Sequence, residues 1–212
     1  MLNPPIWSNM ISAKKCQAKL EGNNRCPYLL LFMNERIFHD EIEKLRRAER
    51  IERSEIERVI DLSSEGIEAG SVLDVGTGTA LFAEHFVRRG FKVCGIDINP
   101  KMIAAARRYV PQGEFKISGA EAIPYRDQSF DIVFFGYVLH EVDDYLKALK
   151  EARRVCRKRV SILEWRYEQQ EFGPPIEHRL KPEKVISWAK QAGFSSIETT
   201  QLTHLVLYRL VI

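Results

Sequence analysis

The stretch whose reading decides the fold is Ser71 to Pro100, SVLDVGTGTALFAEHFVRRGFKVCGIDINP. Val72-Leu73-Asp74-Val75 is an apolar run of strand length, rich in β-branched residues. Gly76-Thr77-Gly78-Thr79 follows as a glycine-rich turn, and Ala80 to Arg89 reads as a helix that Gly90 closes. Phe91 to Ile96 is a second strand ending on Asp97. Such a β-turn-α-β unit brings the backbone close to a ligand at a helix N-terminus, and its terminal acid is placed to accept from ribose hydroxyls. It reads as a nucleoside-cofactor site.

Downstream, Asn99-Pro100 is a helix-start signal, with Met102, Ile103 and Ala106 on one side and Pro111 as the stop. Glu114 to Ser118 is a short strand, and Gly119 to Tyr125 is a loop. Phe130 to Phe135 is a buried-type strand. Tyr145, Leu149, Ala152 and Cys156 mark a helix capped by Asp143 or Asp144. Val160 to Trp165 is another strand, and Gly173-Pro174-Pro175 breaks the chain. Pro182 to Ala192 is helical with Gly193 as its cap. Ser196 to Leu202 and Leu205 to Ile212 form a hairpin. Five β-α units and a terminal hairpin imply an α/β fold: a doubly wound, mostly parallel, seven-stranded sheet with a C-terminal antiparallel hairpin strand.

Upstream, Glu35 to Leu62 is strongly helical, and the N-terminal helices span 35–66. Ser54-Glu55-Ile56-Glu57 resembles a capping box, so a new helix is expected from Ser54, burying Ile56, Val59, Ile60 and Ser63. The helix before Ser54 is placed either as a plain solvated element or as a cover for the ligand. Residues 1–33, with Pro4, Pro5, Gly22 and Pro27, read as an irregular extension to a domain over 34–212, with Met33 as a candidate start.

With 212 residues, the chain suits one well-buried domain. Its apolar runs are far shorter than the roughly 20 residues of a membrane span, which makes the cytoplasm the expected location. A net charge of +3 gives no indication of nucleic acid. The basic run Arg153-Arg154 with Arg157-Lys158-Arg159 reads as a solvated helix end. Cys16, Cys26, Cys94 and Cys156 show no metal-ligand spacing, and Cys94 and Cys156 read as small core residues.

A nicotinamide or flavin dinucleotide requires a third glycine, where this turn has Leu81. Asp74 ahead of the turn also disfavours a pyrophosphate and suits a cationic or zwitterionic ligand. Four motifs then carry a family resemblance. Val72 to Gly78 resembles motif I of the class I S-adenosylmethionine-dependent methyltransferases, type-11 or ubiquinone/menaquinone-methylase-like group. Gly95 to Met102 is similar to the second motif. Ala120 to Tyr125 with Ser129 to Val133 resembles the third, and Tyr137 to Val142 the segment after the fourth strand.

The resemblance implies S-adenosyl-L-methionine as methyl donor, S-adenosyl-L-homocysteine as product and a small-molecule acceptor. It places Gly76, Thr77 and Gly78 at the amino-acid part of the donor, with Asp74 on the ammonium side, directly or through water, and Asp97 on the ribose. Ile98 and Met102 lie against adenine, Ala120 offers its backbone N–H, and Tyr137 and Val138 line the methionine end. The family's Gly-Asp-Ala is Ser118-Gly119-Ala120 here, so position 119 lacks the usual carboxylate. Either Glu121 substitutes, or packing and backbone hold the adenine.

His140-Glu141 follows the fourth strand and Glu164 ends the fifth, so all three are expected at one mouth. His140 is the candidate general base, with Glu141 or Glu164 orienting it. Glu171 to Pro175 is a candidate rim of the acceptor pocket. A non-catalytic donor-binding accessory protein and an NAD-binding oxidoreductase are the competing readings.

Overall fold

The computed structural model describes residues 42–212. The 33/34 boundary, the Met33 start, Cys16, Cys26 and the first helix up to residue 41 lie outside the described residues. The described residues form seven strands: β1 (Ser71–Val75), β2 (Lys92–Asp97), β3 (Glu114–Ile117), β4 (Phe130–Gly136), β5 (Cys156–Trp165), β6 (Ser196–Gln201) and β7 (Leu205–Val211). They form one sheet in the order β3-β2-β1-β4-β5-β7-β6. The first five are parallel, and β7 inserts antiparallel to both β5 and β6. The chain leaves central β1 toward β2 and β3, then returns to its other side as β4. That reversal opens a crevice at the carboxyl ends of β1 and β4, where α/β sheets bind ligands.

The apolar alternation seen in the sequence becomes two cores, one on each sheet face. On one face, α2 (Ile56–Ser64), α3 (Leu81–Arg88) and α4 (Pro100–Tyr109) bury Ile60, Phe86 and Ile103 against Val72, Ile132 and Phe134. On the other, α5 (Tyr145–Val155) and α6 (Pro182–Gln191) bury Leu149, Ala152 and Val185 against Leu73, Val133 and Ile162. Asn99 caps α4 by accepting from the Lys101 N–H at 2.9 Å, and Asp144 caps α5 by accepting from the Lys147 N–H at 2.9 Å.

Four expectations need correction. The continuous helix before Ser54 is a 3₁₀ turn, Ile42–Arg46, followed by the short α1 (Ala48–Arg53). Ser54 is the C-terminal cap of α1 and not the start of α2, because its hydroxyl turns back to the Arg50 carbonyl at 2.6 Å. Glu55, in left-handed conformation at φ 45°, re-aims the chain into α2. The expected buried face, Ile56, Val59, Ile60 and Ser63, is present. Cys156 opens β5 instead of closing α5, since β4 pairs with the strand from Phe130↔Cys156 onward. Finally, β3 reaches β4 through a loop, so only four of the five expected β-α units carry a helix.

The basic run proves to be a set of braces. Arg159 donates to the Ser63 and Glu65 carbonyls at 3.1 and 2.8 Å, closing the end of α2. Arg157 grips Asp131 through Nε and Nη2 at 3.2 and 2.9 Å, while the Ser71 N–H donates to the same carboxylate at 2.9 Å. The Arg157 guanidinium thereby holds the Asp131 carboxyl well below the usual carboxylate range. A carboxyl depressed in the folded state stabilises above its unfolded pKa and loses that contribution as pH falls through the folded value. D131N is therefore less stable than wild type at pH 7, with the difference shrinking below about pH 4; urea titrations across that range measure it.

Candidate functional site

A cleft opens at the β1/β4 crevice, between the turn after β1, the end of β2 and the segment after β4. One wall is the turn after β1. Its Thr77 N–H is clipped to the Ile96 carbonyl at 2.9 Å, which ties the turn to β2. Gly76 and Gly78 take φ of 65° and 54°, and Ala80 takes φ of 60° at the start of α3. Ala80 thus holds a left-handed conformation that costs an L-residue roughly 1–2 kcal/mol.

Gly76 is required for space as well as for φ. A Cβ there would lie 2.2 Å from Val138 Cγ2, so Val138 sits directly on the turn. Gly76→Ala is expected to abolish ligand binding in this cleft and to lower Tm by several degrees, as overpacking and a positive φ together cost about 2 kcal/mol or more. Thermal melts with and without ligand check this.

Asp97, ending β2, accepts from the Gly78 N–H at 2.9 Å and from the Asn99 N–H at 2.8 Å. Burial pushes its carboxyl up from the ordinary value against the pull of these two donors. Each oxygen keeps a further lone pair for a hydroxyl. Past Asp97, Ile98 is 42% exposed and Met102 is buried, and both line the cleft with Gly119, Ala120 and Glu121. Glu121 Oε1 accepts from the Asp143 N–H at 3.1 Å, and a Cβ on Gly119 would stand 3.3 Å from Glu121 Oε2.

Asp74 departs from expectation. It is 2% exposed, absent from the cleft lining, and accepts the Thr77 hydroxyl at 2.7 Å. Burial pushes it up to about 7, and nearby Asp97 adds to the rise. Its position is behind the turn, as the turn's support, and not at the cleft surface.

The segment after β4 forms the opposite wall. Tyr137, buried at φ 64°, lies between Phe82 and Trp165, with centroids at 6.0 and 5.1 Å. Its hydroxyl donates to Ser54 Oγ at 2.9 Å, and burial pushes its pKa up to about 12. A left-handed tyrosine is an outlier of the kind that clusters at ligand sites.

Glu164, His140 and Glu141 do come together. The buried Glu164 accepts from the His140 N–H at 3.1 Å and meets His140 Nδ1 at 2.8 Å. His140 Nε2 lies 3.9 Å from Glu141 Oε1. Their order along the line differs from the expected one: Glu141 lines the cleft, while His140 and Glu164 stand behind it. Burial pushes Glu141 up to about 7, aided by Glu164 and Asp97 and opposed by His140. Perturbed acids of this kind mark functional sites.

The region before Ser54 supplies cleft residues that were not foreseen. Leu45 and Arg50, from the elements before Ser54, line the cleft, which favours the covering role for that region. Their apolar-and-basic spacing looked like that of any solvated helix. Glu171 to Pro175 does not line the cleft. Phe172 packs on Trp165 at 6.0 Å, and Gly173 at φ 80° leaves room for the indole.

Residues 73–163 match the family described as Methyltransferase domain. Over 81% of this chain and 96% of its own, the structure of a SAM dependent methyltransferase from Aquifex aeolicus superposes with a TM-score of 0.72 at 26% identity. Residues 73–163 carry an S-adenosylmethionine-dependent methyltransferase domain of the type-11 group. Among curated members of this kind, a demethylmenaquinone methyltransferase of Chlorobaculum parvum is 38% identical over 94 residues, 44% of this chain and 39% of that protein. A ubiquinone/menaquinone biosynthesis C-methyltransferase of Hahella chejuensis is 36% identical over 116 residues, 49% of this chain and 47% of that protein. The matched stretch thus spans less than half the length of these relatives. S-adenosylmethionine is the cofactor of the family, and the seven-stranded sheet with its inserted antiparallel strand is the family's fold.

No described helix is long and apolar enough to cross a membrane.

Proposed function

We propose that this methyltransferase moves a methyl group from S-adenosylmethionine to a small acceptor in the cytoplasm. The observation that carries this reading is a ribose-type acid, Asp97, in a cleft whose other carboxylates among the described residues are Glu121 and Glu141, against one cation, Arg50. A dinucleotide's pyrophosphate would meet those carboxylates and the bulky Leu81. A sulfonium ligand without phosphate fits them. Asp97 takes the ribose hydroxyls, the Gly76–Gly78 turn follows the amino-acid part, and Ile98 and Met102 hold the adenine between apolar surfaces. The Glu121 carboxylate, lying beside Gly119, supplies the acceptor that the family places at that position. Asp74 keeps the turn in shape through Thr77.

The bound donor supplies an electrophilic methyl carbon on a positive sulfur. The chain's own task is to align the acceptor with that carbon and to exclude water. Tyr137 and Val138 form the surface against which the acceptor is held. Glu141 takes the acceptor's proton, and His140, held by Glu164 at 2.8 Å, stands behind it. The demethylmenaquinone and ubiquinone/menaquinone methyltransferases among its relatives suggest a quinone-type acceptor, for which proton removal from carbon or oxygen accompanies methylation.

The test is turnover. The protein is incubated with labelled S-adenosylmethionine and a panel of reduced quinones and phenols, and S-adenosylhomocysteine is measured. Formation of S-adenosylhomocysteine that depends on the acceptor supports the reading. Release that proceeds equally without acceptor contradicts it.

A further inference from the structure

The segment before α2 crosses the cleft from wall to wall. Its C-terminal end rests on the segment after β4, where Ser54 accepts from the Tyr137 hydroxyl at 2.9 Å. Both residues are buried. The next residue, the left-handed Glu55, accepts the Thr203 N–H at 2.7 Å, which ties this end to the β6–β7 hairpin as well. The other end rests on the glycine turn after β1. In the 3₁₀ turn Ile42–Arg46, Leu45 covers Gly78, on which a Cβ would stand 3.5 Å from Leu45 Cδ1. Between these supports, Leu45 and Arg50 line the cleft.

Different forces hold the two ends. The Ser54–Tyr137 contact is a buried pair of hydroxyls, and separating it would strand a polar group out of water. At the Leu45 end, Arg46 pairs with Glu84 of α3 at 2.7 Å, donates to the Thr79 carbonyl at 3.3 Å and stacks on Tyr109 of α4 at 3.8 Å. The Arg46 and Glu84 side chains are 16% and 24% exposed, so solvent and salt weaken their attraction. Neither residue lines the cleft. The end that lies over the glycine turn is therefore the one that releases more easily, and the left-handed Glu55 is the point at which the segment changes direction.

We propose that residues 42–53 are a strap over the donor cleft, hinged at Glu55 and latched by Arg46 on Glu84, and that ligands enter and leave when the latch is open; this rests on the reading of the cleft as the S-adenosylmethionine site. A latch that closes over the empty and the occupied cleft alike restrains entry and release equally. Breaking it raises the open fraction in both states, so association and dissociation quicken together while their ratio, the affinity, holds.

The test uses the full chain with E84Q, R46A and R88Q, after thermal melts show which are folded; E84Q decides alone if R46A is not. Surface plasmon resonance measures association and dissociation of S-adenosylhomocysteine at about 0.05 M and 0.5 M salt. E84Q raises both rate constants by about threefold, and R46A by about tenfold because it also loses the Thr79 and Tyr109 contacts. Kd moves by less than about twofold in either. R88Q removes the other partner of Glu84, Arg88, without touching the strap, and leaves both rates at the wild-type values. High salt quickens both rates of wild type and leaves those of E84Q nearly unchanged. A change confined to one rate constant overturns the proposal and marks Arg46 as a support of the wall. So do rates in E84Q and R46A that stay at or below wild type. Acceleration in R88Q equal to that in E84Q, or equal salt acceleration of wild type and E84Q, overturns the assignment of the latch to Arg46 and Glu84. Wild-type protein that ignores S-adenosylhomocysteine contradicts the methyltransferase reading instead. Amide hydrogen exchange on the free protein then decides the strap alone: faster exchange of residues 48–53 in E84Q than in wild type supports it, and equal exchange overturns it.

Discussion

Asp97→Ala lowers the affinity for S-adenosylhomocysteine by at least about 100-fold, the largest effect expected of any single change at the nucleoside end of the cleft. Two losses combine. Hydrogen bonds to a charged group contribute about 1.5–3 kcal/mol each, and two ribose hydroxyls lose theirs. The same carboxylate holds the Gly78 and Asn99 N–H groups, so the turn after β1 and the start of α4 both lose an anchor. Asp97→Asn separates the two effects. An amide oxygen can still accept from one N–H, so the turn is partly retained while the charge is lost. Calorimetry is expected to rank wild type, D97N and D97A in falling affinity. Wild-type affinity in D97A would remove Asp97 from the ribose role.

Glu141→Gln lowers turnover by about 100-fold or more, the usual range for loss of a general base. S-adenosylhomocysteine affinity stays near the wild-type value. The pH profile separates a catalytic carboxylate from a structural one. With Glu141 pushed up to about 7, the ionised base accumulates as pH rises through that value. Wild-type kcat/KM is therefore expected to climb from pH 6 to pH 8 and level off, while E141Q shows a low, flat line over the same interval. A rising limb that survives in E141Q would assign the titration to another group, with His140 the next to examine.

Much of the fold was legible because its cause is local. The strand-turn-helix-strand run from Ser71 to Pro100 has a period, a turn chemistry and a terminal acid that leave few alternatives, and the terminal hairpin follows from a change of period. The misses have tertiary causes. Ser54 followed by Glu57 satisfies a capping box on paper. The Ser54 hydroxyl is instead claimed by the Arg50 carbonyl and by Tyr137, 83 residues away. Cys156 fits the helical spacing of α5, yet pairing with β4 draws it into β5.

At the site, the glycines, Asp97 and the Tyr137 to Glu141 segment could be found because strand ends are fixed points of such sheets. The direction in which each side chain faces could not. His140 and Glu141 are adjacent in sequence, and only the short 3₁₀ turn at Leu139–Glu141 decides that the glutamate meets the cleft. Asp74 was placed one layer too far forward for the same reason: alternation along β1 turns it under the turn, toward Thr77. Arg50 carries no motif, and its place in the cleft lining depends on where α1 packs.

The most direct measurement is a calorimetric titration of the wild-type protein with S-adenosylhomocysteine and, in parallel, with NAD. The account predicts one saturable S-adenosylhomocysteine site per chain and no heat of binding from NAD. Saturable binding of NAD with none of S-adenosylhomocysteine would contradict it.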